Sequence, residues 1–301
     1  MSNKHTFAIL GGDRRQAILA VKLRELGHTV RVMGLESFAK EMTGVELCST
    51  CEKAIKDSNC IILPLPTSRD GENLNISEFE KRQNVKLDNI ISLSHRNGNV
   101  TIIGGLIPES MTKKSNELGI ETIDFYKNES LQQLNALPSA EGAIMVAMQN
   151  CEKVLEGMRV LVTGYGRIGK LLAKKLKALG GIVTVAARRD EVLCEISMSG
   201  YDAVRSTDIC LLRKAFDSNE IVFNTVPGII FTRAVLCEST NRPVYIEIAS
   251  APGGIDVTYA RERGVKIHSA PSLPGKYAPI SAGEYIFETI SEILEKRGIK
   301  L

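Results

Sequence analysis

Short apolar runs separated by helix-length segments recur along the whole chain. The first run is Thr6–Leu10, and it ends in Gly11-Gly12-Asp13. A helical segment follows to about Leu26, then Gly27 and the run HTVRVM. Further apolar runs lie at CIILPL (60–65), VTIIGG (100–105) and IETIDF (120–125). Short strands alternating with helices predict a parallel sheet covered on both faces. HRNGN (95–99) marks a turn, and residues 67–75 read as a polar loop.

The second half repeats the alternation. Pro138-Ser139-Ala140-Glu141 opens a long apolar segment, AEGAIMVAMQNCEKVLEG. Pro followed by Ser and an early Glu is a helix-start signal, so this segment is expected to be a helix connecting two domains. MRVLVTG, GIVTVAA, EIVFNTV, PVYIEIA and VKIHSA then read as strands. ISAGEYIFETISEILEKRG is amphipathic: Tyr285, Ile286, Ile290, Ile293 and Leu294 fall at helical spacing. This last helix is expected to cross back to the first domain.

A length of 301 residues suits two domains, each with its own core. With 44% hydrophobic and 24% charged residues, the composition is that of an ordinary soluble protein. A net charge of +3 is too small to suggest nucleic-acid binding, and the cluster Lys170, Lys174, Lys175 and Lys177 reads as a solvated helix face. No apolar run reaches the roughly 20 residues that span a bilayer. The opening MSNKHTFAILGGD lacks the design of a signal peptide, so a cytoplasmic location is expected. Seven scattered cysteines do not form a disulfide framework. Cys48 and Cys51 make one CxxC with only Cys60 nearby, which reads as structural thiols with no metal site.

The sharpest motif is Gly164-Tyr165-Gly166-Arg167-Ile168-Gly169, between an apolar strand and a helix. Gly164 permits a tight turn, Gly166 lets backbone approach a pyrophosphate, and Gly169 lets helix and strand pack closely. The helix N-terminus adds free amides for the phosphates. Such a turn normally leads to an acid about 20 residues on, which holds the ribose hydroxyls. Here the second strand runs into Arg188 and Arg189 instead. Two guanidinium groups suit a 2′-phosphate, so NADP is expected over NAD. Asp190 takes the acid's place if the strand runs further.

In open parallel sheets ligands lie beyond the carboxyl ends of strands. Asn224, Thr225, Val226 and Pro227 are therefore expected to border the cofactor, and Ala249 and Ser250 to lie near its nicotinamide. Gly11-Gly12-Asp13-Arg14-Arg15-Gln16 looks like a second nucleotide turn but lacks the third glycine. Asp13 opposes a pyrophosphate there. The turn serves either substrate and domain contacts or simple helix capping. His95 and His268 read as structural.

The expected fold is α/β, with two Rossmann-like doubly wound parallel-sheet domains and an interdomain cleft. Residues 1–137 form the N-terminal domain for substrate or partner. Residues 138–280 form the NADP-binding domain, connector helix included, and 281–301 the crossing helix.

GGDRRQ, PSAEGAIMVAMQ, GYGRIG, NTVPG, ASAPGGID and SLPGKYAP occur in that order nearly end to end. In this set the chain strongly resembles the A subunits of dipicolinate synthase from spore-forming bacteria. The resemblance implies the two-domain architecture of formate and glycerate dehydrogenases. It implies oxidation of dihydrodipicolinate to pyridine-2,6-dicarboxylate (dipicolinate), with hydride passing to NADP, in the mother cell during sporulation. It also implies a partner, the B subunit of dipicolinate synthase, which resembles flavoproteins, within a homo- or hetero-oligomer. A substrate with two carboxylates needs cationic or amide donors. Asp13 and Arg15 match the family's GGDxRQ pattern, whereas Arg69 and Lys276 are candidates by position alone. No general base can be chosen; Lys276, Tyr277 and Glu141 are the candidates. The 2-hydroxy acid dehydrogenases of the wider group carry a catalytic His before their final helix, and this chain has none after His268. Two other readings stay open: a non-catalytic NADP-binding protein supporting the B subunit, and a 2-hydroxy acid dehydrogenase-like oxidoreductase.

Overall fold

The computed structural model describes residues 4–77 and 84–299. The chain divides into two compact units, Met1–Leu134 with Ala278–Leu301, and Asn135–Tyr277.

The first unit runs β1 (Thr6–Leu10), α1 (Arg14–Glu25), β2 (Thr29–Met33), β3 (Glu46–Leu47), α2 (Cys51–Ile55), β4 (Cys60–Ile62), α3 (Leu87–Asn97), β5 (Thr101–Gly104), α4 (Glu109–Glu117) and β6 (Glu121–Asp124). Its strands pair in parallel, in the order β3-β2-β1-β4-β5-β6. This is the doubly wound order, and its direction of winding reverses between β1 and β4. Alternation along β1 supplies both faces. Phe7 and Ile9 join a core with Leu19 and Leu23 of α1, while Ala8 and Leu10 join another with Ala54 of α2 and Ile90 of α3. The Cys51 and Cys60 thiols lie in these cores, where burial pushes them up to about 11 and about 12. Both are therefore neutral packing groups, and among the described residues no group of side chains could hold a metal ion.

α5 (Glu129–Asn150) starts well before the sequence signal and ends earlier than predicted, with Pro138 inside it. Pro138 cannot donate a backbone bond, yet the helix continues. One turn back, the Asn135 carbonyl accepts from the Ser139 hydroxyl at 2.8 Å, a bond that helices with a local bend accommodate. The Pro-Ser pair marks an interior irregularity, not a start.

The second unit continues with β7 (Arg159–Thr163), α6 (Arg167–Ala178), β8 (Ile182–Ala187), α7 (Asp190–Met198), β9 (Asp202–Arg205), α8 (Ile209–Ser218), β10 (Ile221–Asn224), α9 (Arg233–Leu236), β11 (Val244–Glu247), α10 (Val257–Glu262), β12 (Ile267–Ser269) and α11 (Leu273–Tyr277). Its parallel order is β12-β11-β10-β7-β8-β9, so winding reverses between β7 and β10. Val160 and Val162 pack with Leu172 and Leu176 of α6 and with Ala143 and Ala147 of α5. Leu161 and Val222 face the other way, among Phe216, Phe231 and Tyr245.

α12 (Pro279–Glu295) belongs to the first unit. Ile286, Ile290 and Leu294 are buried in the core that holds Phe7 and Ile9. Gly283 allows close approach to α1: a Cβ there would lie 3.1 Å from the Arg15 carbonyl oxygen. Beyond α12, Arg297 pairs with Glu121 of β6. Among the described residues, no helix is long and apolar enough to cross a membrane.

Candidate functional site

β7 ends at Thr163 and the chain turns at once. Gly164 has φ +90, and a Cβ there would overlap the Thr225 hydroxyl. A Cβ on Gly169 would overlap the Gly164 carbonyl, so α6 rides directly on the turn. Gly166 is the opposite case. It is the N-cap of α6, no side chain caps the helix, and a Cβ on it would meet nothing within 4 Å. The turn thus leaves an open space in front of backbone amides, the shape and polarity a pyrophosphate requires. Tyr165 and Ile168 are half-buried and Arg167 is exposed. Tyr165 turns toward the α6 core, edge-on to Tyr201 at 6.4 Å and beneath Lys170 Nζ at 5.3 Å.

β8 stops at Ala187, and Arg188 and Arg189 follow it as exposed residues. Neither has an ion-pair partner among the described residues. Asp190 is the first residue of α7 and pairs with Arg205 at the end of β9. The strand does not run on to Asp190, and that carboxylate is engaged.

The ends of β10 and β11 are held by side-chain hydrogen bonds. Asn224 is fully buried. Its Oδ1 accepts from the Thr163 hydroxyl at 2.6 Å, and its Nδ2 donates to the Val226 carbonyl at 2.9 Å and to Glu247 Oε1 at 2.7 Å. The Thr225 hydroxyl donates to the Thr163 carbonyl at 2.8 Å. Asn224 and Thr225 thus support the turn from behind. Val226 and Ala249 are half-buried, and Pro227 and Ser250 are exposed. Glu247 is a site residue that the sequence motifs miss. One signal marks it: a lone carboxylate inside the apolar strand PVYIEIA is costly unless hydrogen-bonded.

The glycine turn of the first unit differs. Gly12 N donates to the Asn75 carbonyl at 2.8 Å, and Ser77 N donates to the Gly12 carbonyl at 3.1 Å. A Cβ on Gly11 would lie 2.8 Å from the Asn75 carbonyl oxygen. The chain's own segment 74–77 therefore covers this turn. Asp13 caps α1: its carboxylate accepts from Arg15 N at 3.1 Å, while Gln16 Oε1 accepts from Asp13 N at 3.2 Å. Arg15 is only 5% exposed. It donates to Asp13 through Nε (2.9 Å) and Nη2 (2.8 Å), and Nη2 also donates to the Leu65 carbonyl at 2.6 Å. Arg69 is exposed, and its Nε donates to Asn75 Oδ1 at 3.1 Å. Arg15, with Asp13, thus bonds to the start of the loop 65–77, and Arg69 bonds to Asn75 within it.

The remaining candidates lie on other elements. Glu141, on α5, pairs at 2.8 Å with Lys175 in the last turn of α6, far from the helix N-terminus. Lys276 and Tyr277 are exposed on α11, where the Tyr277 ring lies against Gly142. His268 sits on β12 with its Nε2 buried.

Two doubly wound parallel sheets, one of them with an open glycine turn at its β7/β10 switch point, define a two-unit Rossmann-type protein. Residues 6–126 match the family described as the N-terminal domain of the dipicolinate synthase A subunit. The chain is 29% identical to the dipicolinate synthase A subunit of Bacillus subtilis (strain 168), over 95% of each. The crystal structure of the dipicolinate synthase A chain from Bacillus subtilis superposes with a TM-score of 0.82 at 26% identity, covering 98% of this chain and 97% of that one. The A subunit from Bacillus halodurans superposes with 0.84 at 26% identity, covering 97% and 98%. A transhydrogenase from Sinorhizobium meliloti shares the fold, with a TM-score of 0.62 at 15% identity over 97% and 94%. In sequence and in fold the chain thus resembles the dipicolinate synthase A subunits nearly end to end.

Proposed function

We propose that this chain, acting with a dipicolinate synthase B subunit, oxidises dihydrodipicolinate to dipicolinate with NADP, in the cytoplasm of a spore-forming cell. One observation carries the cofactor part. The open turn at Gly166 is followed, at the end of β8, by two exposed arginines where a ribose-binding acid would stand. Resemblance to the dipicolinate synthase A subunits supports the substrate and the partner.

Aromatisation of the substrate removes two hydrogens, one from a ring carbon as hydride and the other as a proton. NADP, when bound, supplies the hydride acceptor. The chain's residues bind and orient. Gly164, Gly166 and Gly169 with the first amides of α6 hold the pyrophosphate. Arg188 and Arg189 hold the 2′-phosphate by charge-assisted hydrogen bonds. The loops after β10 and β11 border the nicotinamide. Arg15 and Arg69 are the first unit's candidates for binding a substrate carboxylate, and Lys276 is the second unit's.

The commitment of Glu141 to Lys175 favours a second reading, in which the chain binds NADP but the B subunit supplies the proton acceptor. Both readings are tested by purifying the chain alone and together with that partner. Formation of reduced nicotinamide is then followed with freshly generated dihydrodipicolinate. Turnover only in the presence of the partner is expected. Turnover by the chain alone removes the need for a partner in the chemistry. NADP binding without turnover in either preparation overturns the oxidation itself.

A further inference from the structure

Asn224 and Glu247 close β10 and β11 and stand side by side in the register of the sheet. Glu247 accepts four hydrogen bonds, as many as a carboxylate has lone-pair sites. Oε1 takes Asn224 Nδ2 at 2.7 Å and Ala249 N at 3.1 Å; Oε2 takes Gly254 N at 2.8 Å and the Tyr245 hydroxyl at 3.3 Å. All four donors are neutral, and among the described residues Glu247 has no ion-pair partner. Asn224 carries the connection on to β7 through the Thr163 hydroxyl and to the next loop through Val226. The Gly254 carbonyl then accepts from both Ile230 N and Phe231 N at 2.9 Å. Loops 225–231 and 249–254 are thereby joined twice, once through Gly254 and once through the Asn224–Glu247 contact. Two glycines make room for this. A Cβ on Gly254 would overlap the Asn224 amide, and Gly253 has φ +82 with its Cβ position 2.9 Å from Glu247 Oε2.

Glu247 is half-buried, and even partial burial of a carboxylate without a cation is a poor way to gain stability. What the carboxylate gains here is shape. We infer that Glu247 is a positioning residue: with Asn224 it clamps the loops after β10 and β11 into one frame that sets the nicotinamide end of the dinucleotide site. The inference rests on the proposed dinucleotide reading of this unit.

The test uses the full chain and three variants, Glu247→Gln, Asn224→Asp and the two combined. Glu247→Gln places an amide N–H group where only acceptors fit. Asn224→Asp sets two carboxylates face to face. The double variant restores one donor and one acceptor across the contact. Backbone hydrogen exchange is measured without cofactor, and the Kd for NADP and for NAD by fluorescence titration. Each single variant is expected to speed exchange in residues 225–231 and 249–254 together. Each should raise the NADP Kd by about tenfold, the scale of one lost charged hydrogen bond. The double variant should recover part of both losses. Wild-type exchange in the single variants, or faster exchange throughout residues 135–277, overturns the clamp. Loosened loops with an unchanged NADP Kd overturn its link to the cofactor and leave the proposed function standing. A wild-type protein that binds neither NADP nor NAD removes both.

Discussion

Asp190 and Arg205 pair across the ends of β8 and β9, joining the first residue of α7 to the last residue of its neighbouring strand. Ala187 and Arg205 are register partners in the sheet, so the pair sits directly beside the strand end. Asp190, the carboxylate that follows the strand end most closely in sequence, is thereby paired, and Arg188 and Arg189 stand exposed. Replacing both, Arg188→Ser with Arg189→Ser, should cost NADP more binding energy than NAD, by about 2–4 kcal/mol if both contacts are charge-assisted. Asp190→Asn should leave NAD affinity unchanged. Titrations belong at one fixed ionic strength, since exposed charges are screened. Equal loss of both cofactors in the double variant would show the arginines to be surface charges.

Two glycines of the same turn should respond in opposite ways. Gly166→Ala adds a methyl group to open space at an ordinary φ of −86, so the melting temperature should hold while dinucleotide affinity falls by about tenfold. Gly169→Ala pushes a methyl group into the Gly164 carbonyl and should destabilise the second unit by about 1–3 kcal/mol. Thermal melts and titration of both variants check this. A Gly166→Ala protein with wild-type affinity would show that no ligand approaches the turn.

Arg15 is held by Asp13 and the Leu65 carbonyl, so its removal strips the Leu65 carbonyl of its side-chain donor and leaves Asp13 with only its cap bond to Arg15 N. Arg15→Gln should therefore destabilise the first unit by about 1.5–3 kcal/mol in chemical denaturation. Calorimetry with dipicolinate, at a temperature where the variant is fully folded, reads its other assignment. Weaker binding is expected, and unaltered binding would leave Arg15 with a structural role alone.

His28 gives the first unit a pH response. Burial, and secondarily the neighbouring His5, lowers its pKa below the usual 6.5. The unfolded chain therefore takes up the proton first as pH falls. The stabilising contribution is complete above about pH 6.5 and is lost as pH drops toward the lowered folded value. Melting temperatures measured across this window should fall more steeply for the wild type than for His28→Gln, which keeps an acceptor for His5 N. Parallel curves would assign the acid sensitivity elsewhere.

The fold class was legible because its central strands are apolar runs buried on both faces, as Phe7 to Leu10 are. β3 and β9 were not, because they are short edge strands with exposed residues such as Glu46 and Asp202. The glycine turn was legible because backbone conformation demands particular residues at particular spacings. Partners distant in sequence were hidden: Arg15 reaches Leu65, Asp190 reaches Arg205, and Glu141 reaches Lys175. Local pattern carries no information about which charged group a fold brings opposite another. Pro138 misled for a different reason. Its fixed φ suits a helix interior as well as a helix start, and the long helix tolerates the one missing donor.

The return of α12 to the first unit sets an order of events during synthesis. The second unit is one continuous stretch, complete once Tyr277 has left the ribosome. The first unit, although begun earlier, waits for Ile286, Ile290 and Leu294 before its apolar surface closes. Domains commonly fold in the order they emerge. Here the order of completion is inverted: every residue of the second unit precedes the α12 residues that the core of the first unit includes. Premature termination shortly after residue 277 would spare the later unit and strand the earlier one.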